Sequence, residues 1–202
     1  MECNPWTGSA CHGICRDLAK FLDETVQEGW QTLETGSGLS TLIFARRGAW
    51  HTAVTPNAGE FDEIKDWAVG HEIDLSRLTF IPTASEDYLP TCRRKDLDCV
   101  LLDGKHAFPW PILDWFFTAR QLHRGGLMIL DDVPMAPVRM LVDFLSSESP
   151  RWQLVQRLER SACFQKCTDS IEDIAWHMQP FVARQQRSLR QTLLAVKRRL
   201  RL

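Results

Sequence analysis

Two short apolar runs, each closed by carboxylates and separated by room for one helix, constrain this chain more than any other feature. The first is Leu97-Asp98-Cys99-Val100-Leu101-Leu102, closed by Asp103-Gly104-Lys105-His106. The second is Gly126-Leu127-Met128-Ile129-Leu130, closed by Asp131-Asp132. The aromatic-rich stretch between them is long enough for one crossover helix. This pattern predicts strand, helix, parallel strand, because parallel strands need a crossover and that crossover is right-handed. Both acidic tips then lie at the carboxyl edge of one sheet, where open parallel sheets bind ligands. Asp103, Asp131, Asp132 and His106 mark that edge as a candidate site with donor types suited to a metal.

The rest of the chain repeats the alternation. Apolar spacing predicts helices over 11–27, from Leu39 to Arg46 or Arg47, over 60–69, 110–122 and 134–145, and a short one from Ser85. Strands are expected at 31–34, 50–54 and 78–81 before the two opening runs. Trp152–Leu158 and Ala162–Lys166 then read as a closing antiparallel hairpin. The fold class expected is α/β, a sheet of about seven mostly parallel strands with helices on both faces. One domain spans 1–168. Residues 169–202 form a C-terminal extension in which Arg184, Arg187, Arg190, Lys197, Arg198, Arg199 and Arg201 accumulate beside Leu189, Leu193, Val196 and Leu200, a basic amphipathic helix.

Composition sets outer bounds. The net charge of −2 argues against a wholly basic nucleic-acid binder, and 44% hydrophobic with 25% charged residues is ordinary for a soluble globular protein. The N-terminus lacks a basic region followed by an apolar one, and no apolar run reaches the roughly 20 residues that span a bilayer. A cytoplasmic location with reduced thiols is therefore expected for the seven cysteines. Cys11-His12 with Cys15, and Cys163 with Cys167, lack the paired two-residue gaps of zinc sites.

Glu34-Thr35-Gly36-Ser37-Gly38 closes a strand and opens a helix. Glycines let the backbone turn sharply there, and the free N–H groups of the helix start favour an anion. Ser40 can equally cap the helix. Leu33 to Thr41 resembles the first motif of class I S-adenosylmethionine (SAM)-dependent methyltransferases. The resemblance continues through Asp103-Gly104-Lys105-His106 to Gly125-Gly126-Leu127-Met128-Ile129-Leu130-Asp131-Asp132 and covers residues 15–167. The last two motifs are typical of small-molecule O-methyltransferase branches, and the family's seven-stranded, Rossmann-like sheet fits the element order.

The resemblance implies roles by position. Gly36, Ser37 and Gly38 would face the methionine part of SAM, Ser40 its carboxylate, and Glu34 would lie beneath the loop. The residue closing strand two is normally acidic and binds the ribose hydroxyls; Thr55 stands there in this chain. Ser85 would flank the adenine. Asp103, counted with both the cofactor-contacting and the catalytic residues, would join Asp131 and Asp132 in holding a divalent cation such as Mg²⁺. Some relatives carry an acid where Lys105 stands here. His106, with an ordinary pKa near neutrality, is the expected general base. Asp103 before Gly104 also reads as a turn residue, and Asp132 before Pro134 as a helix cap. Among the aromatics, Trp115 and Phe116 are expected in the core, with Phe108 and Trp110 either core or pocket.

The function expected is methyl transfer from SAM to an oxygen of a small-molecule or glycan-like acceptor, with a divalent cation as an assisting group. The alternative is a catalytically degenerate binding or scaffold module, docking on membrane or nucleic acid through its basic C-terminal helix. A second copy of the chain, forming a homodimer, is a further candidate partner. A dehydrogenase is disfavoured, because the loop lacks the third glycine and strand two lacks its acid.

Overall fold

The computed structural model describes residues 13–169 and 175–185. Apolar periodicity and turn residues give β1 (Gln31–Thr35), β2 (Trp50–Val54), β3 (Leu78–Ile81), β4 (Leu97–Leu102), β5 (Leu122–Leu130), β6 (Trp152–Arg157) and β7 (Ala162–Lys166). The helices are α1 (Arg16–Thr25), α2 (Leu39–Arg46), α3 (Ala58–Gly70), α4 (Ser85–Tyr88), α5 (Trp110–Thr118) and α6 (Ala136–Ser147). The seven strands form one sheet in the order β3-β2-β1-β4-β5-β7-β6. Strands β1 to β5 are parallel, while β7 runs antiparallel to both β5 and β6.

The two opening runs lie side by side as β4 and β5, with Val100 opposite Met128 and Leu102 opposite Leu130. Their side chains alternate between two cores. Val100, Leu102, Met128 and Leu130 pack with Trp115 of α5 and with Val138, Leu141 and Leu145 of α6. Cys99, Leu101 and Ile129 pack on the other face against Leu18 and Leu22 of α1 and Phe44 of α2. Burial on both faces explains why these strands read as continuous apolar runs rather than alternating ones. Each fully buried leucine contributes about 1.5–3 kcal/mol of transfer free energy, so this central pair anchors the sheet edge that carries the acids.

Local reading misplaced two junctions: α1 spans Arg16–Thr25, inside the expected 11–27, with Cys15 and Val26 extended at its ends, and the α5–β5 boundary shifts. Periodicity ran α5 on to Leu122 and began β5 at Gly126, whereas α5 ends at Thr118 and β5 begins at Leu122. The cause lies far along the chain. Lys166 of β7 is buried, and its ammonium donates to the carbonyls of Ala119 and Leu122 at 2.9 and 2.6 Å. Carbonyls left free at a helix end favour a cation, and here the sheet supplies it. Phe116 is also not a core residue: it is 37% exposed, with the Arg120 guanidinium 4.0 Å from its ring centre.

Among the described residues, no helix is long and apolar enough to cross a membrane. Cys15, Cys92, Cys99, Cys163 and Cys167 are free thiols. The start of the C-terminal extension returns to α6. The Phe181 ring lies 5.6 Å from that of Phe144, and the Phe181 N–H donates to Glu148 at 3.1 Å. Most of the expected basic helix lies outside the described residues.

Candidate active site

Five strand ends meet at the carboxyl edge around a cavity of about 830 Å³. That volume suits a drug-sized or larger ligand. Its floor is the loop between β1 and α2. Gly36 adopts φ +89°, and a Cβ there would stand 2.4 Å from the Asp103 carbonyl oxygen. Only glycine lets this loop lie against the end of β4. Asp103 N–H in turn donates to the Thr35 carbonyl at 3.0 Å, locking the two strand ends together.

Beneath the loop, Glu34 is fully buried and saturated with donors. Ser40 Oγ donates to Glu34 Oε2 at 2.6 Å, and Thr41 Oγ1 donates to Oε1. His51 Nε2 lies 3.0 Å from Oε1, while its Nδ1 lies 2.8 Å from Thr32 Oγ1. Phe44 stacks on the His51 ring at 4.3 Å. Thr41 Oγ1 also accepts the Gly38 N–H at 3.0 Å, so the network holds the start of α2. Glu34, Gly38 and Ser40 therefore stand behind the cavity wall, whereas Gly36, Ser37, Thr55 and Ser85 line it. His51 thus serves the network that holds the loop rather than the cavity.

Asp103, His106, Asp131 and Asp132 also line the cavity. His106 Nε2 sits 3.5 Å from Asp103 Oδ1 and 3.6 Å from Asp132 Oδ2. These are ion-pair separations, and the buried Nε2 makes no directed hydrogen bond. Burial pushes the Asp103 carboxyl up to about 7. Contact with Asp103 raises the His106 imidazole above its ordinary value against partial burial, and Asp132 and Asp131 add to the effect. The two groups titrate as a coupled pair.

The neighbouring acids separate in role. Asp131 Oδ1 accepts from Ser161 Oγ at 2.6 Å, and burial raises this carboxyl. Asp132 adopts φ +54°, a left-handed conformation that aspartate tolerates better than most side chains. Its Oδ1 accepts from Arg160 of the β6–β7 turn, and its Oδ2 faces His106. Ligand atoms of Asp103, His106 and Asp132 lie within 4.8 Å of one another. Two hard carboxylate oxygens and an imidazole nitrogen fit a divalent cation. This grouping differs from the expected Asp103, Asp131 and Asp132, because Ser161 engages Asp131.

Local sequence patterns did not pick out several residues here. Arg160 and Ser161 arrive from the hairpin and carry no signal near the acids they bind. Asp114 of α5 is 2% exposed beside Thr35 and Ser85, and burial pushes it up to about 6. Asp114 Oδ1 and Thr35 Oγ1 are both buried without a hydrogen-bond partner. Glu60 lines the cavity from the first turn of α3. Its spacing from Asn57, N-cap to third helical residue, was a visible signal. Phe108 is 61% exposed, and Trp110 carries the Lys105 ammonium 3.4 Å from its ring centre.

A family model described as a methyltransferase domain matches residues 33–133, half of the chain. No curated protein matches it. A solved structure from Corynebacterium glutamicum is similar at 14% identity and a TM-score of 0.65, covering 80% of this chain and 85% of that one. The O-methyltransferase TomG from Streptomyces achromogenes, solved in complex with SAM, aligns at 14% identity with a TM-score of 0.62, over 77% and 82% of the two chains. A methyltransferase-like protein from Silicibacter pomeroyi aligns at 19% identity with a TM-score of 0.57, over 79% and 90%. At these identities the likeness is one of fold.

Proposed function

The chain belongs to the class I SAM-dependent methyltransferase family, and on that premise we propose that it methylates an oxygen of a small-molecule or glycan-like acceptor. One observation carries the reading: His106 Nε2 lies at the cavity edge between two carboxylates, without a directed hydrogen bond of its own. SAM, when bound, supplies an electrophilic methyl group on a sulfonium. The remaining contributions are the protein's. In the Gly36 loop, the Gly36 and Gly38 N–H groups are taken by Val54 and Thr41, and Ser37 is the polar side chain that lines the cavity for the methionine end. Ser85 and Thr55 bound the nucleoside end. His106 Nε2 takes the acceptor's hydroxyl proton, and Asp103 and Asp132 stabilise the imidazolium that forms. Methyl transfer chiefly demands that the reacting groups be held in line.

A second reading of the same cluster rests on the 4.8 Å grouping. Asp103, His106 and Asp132 would hold Mg²⁺ or a similar cation, which lowers the pKa of a bound hydroxyl. His106 Nε2 cannot bind a cation and accept a proton at once, so a chelator separates the readings. Activity that survives chelation supports the base, and activity restored only by Mg²⁺ supports the cation. Thr55 in place of the usual acid motivates a third reading, a binding module without turnover.

The test is calorimetry with SAM and its demethylated product, S-adenosylhomocysteine, followed by transfer of labelled methyl to a panel of phenols, catechols, hydroxy acids and sugars. Binding with transfer to one acceptor class supports the enzyme. Binding without transfer across the panel favours the module. Absence of binding by either nucleoside overturns the cofactor assignment.

A further inference from the structure

We propose that Glu60 is the carboxylate that receives the ribose hydroxyls of the nucleoside, a task the end of β2 cannot perform in this chain. The inference rests on SAM binding in this cavity. A vicinal diol offers two O–H donors on one edge, and a carboxylate accepts both where a single hydroxyl cannot. Thr55, which closes β2, is 5% exposed, and its Oγ1 accepts the Asn57 N–H at 3.3 Å. Its oxygen is already engaged in the turn that starts α3.

That same bond frees Glu60. In a capping box, the acid at the third helical position accepts the backbone N–H of the cap residue. Here Thr55 has taken the N–H of Asn57, and the Glu60 carboxylate lines the cavity and bonds to Ser37 of the β1–α2 loop instead. Ser37 Oγ donates to Glu60 Oε2 at 2.6 Å, and Asn57 Nδ2 donates to Oε1 at 3.1 Å. One donor on each oxygen orients the group and leaves each oxygen a second lone pair. Ser37 belongs to the loop expected to face the methionine part, and Ser85 stands at the adenine end. Glu60 shares the cavity wall with both.

The other acids on that wall are committed elsewhere. Asp103 and Asp132 flank His106, and Asp131 accepts from Ser161. The carboxyl of Glu86 is held below its usual range, first by its own backbone N–H, which turns it onto the start of α4.

The test is calorimetry on the full chain with S-adenosylhomocysteine and with its 2′-deoxyribose counterpart. The unaltered protein should prefer the ribose form. Glu60→Gln should weaken binding of the ribose form by about 10- to 100-fold, the cost of hydrogen bonds to a charged acceptor, and lose the preference. Ser37→Ala removes one of the two orienting donors but keeps the carboxylate, and should retain part of the preference. Asp62→Asn, on an exposed residue of α3, should bind like the parent and exclude a general effect on the helix. Glu60→Gln that binds within about twofold of the parent, or that still discriminates the deoxy form, overturns the proposal alone. Equal loss of the preference in Ser37→Ala assigns Glu60 a loop-holding role and also overturns it. No binding by the unaltered protein overturns the cofactor reading, and this proposal with it.

Discussion

The two halves of the sheet edge handle buried charge in opposite ways. Under the Gly36 loop, the Glu34 carboxylate collects Ser40, Thr41 and His51, and each of these is itself fixed by burial or a further bond. At the ends of β4 and β5, Asp103 and Asp132 flank one histidine, and burial raises the Asp103 and Asp131 carboxyls. Satisfied buried polar groups make a rigid scaffold, whereas polar groups left wanting partners mark where a ligand or a proton goes. The first half holds a shape, and the second carries the groups to which we assign the proposed proton transfer.

His106→Gln gives the largest expected difference between the halves. It should lower kcat/KM by about 10²- to 10⁴-fold, the usual contribution of a general base, while S-adenosylhomocysteine binds as in the parent. In the parent, kcat/KM should rise with pH through a midpoint above the ordinary 6.5 of histidine, because the flanking carboxylates favour the protonated ring. A flat profile would remove the base role and bring the two halves closer in character.

Glu34→Leu probes the scaffold half. Two buried hydroxyls and His51 would lose their acceptor, at a cost of roughly 3 kcal/mol. Urea unfolding should report a lower midpoint, and the loop should lose nucleoside affinity with it. A variant as stable as the parent would show that the network orders the loop without holding the fold.

Asp114→Asn has the smallest expected effect and the opposite sign. The buried carboxyl is pushed up to about 6 from an ordinary 3.8. At low pH it is protonated in both the folded and unfolded states. As pH rises from the unfolded value of 3.8 to the folded value of about 6, the unfolded chain has released the proton and the folded chain has not, and stability falls. The asparagine variant escapes this loss, which amounts to about 2–3 kcal/mol at most. It should melt above the parent near neutral pH, with the gap closing as pH falls toward about 4. A gap independent of pH would place the effect in packing instead.

Most of the fold was legible from the chain, since β2, β3, β4 and β7 occupy the ranges their apolar runs and turn residues suggest. The site was legible only in part. Gly36 and Gly38 mark a tight turn before a helix, and acids at strand ends mark an edge; both signals are local. The division of labour among the acids is not. Asp131 and Asp132 are adjacent and chemically identical, yet Ser161 takes one and Arg160 the other, from 30 and 28 residues away. Lys166 ends α5 from 44 residues beyond Leu122.

The sequence by itself determined which segments become strands and which strand ends carry acids, because periodicity and turn chemistry act over a few residues. Only the tertiary structure decided which carboxylate is saturated, which faces His106 and which lines the cavity from α3. Those outcomes depend on donors and desolvation contributed by segments distant in the chain, and a buried carboxylate's chemistry is set by its partners rather than by its neighbours in sequence.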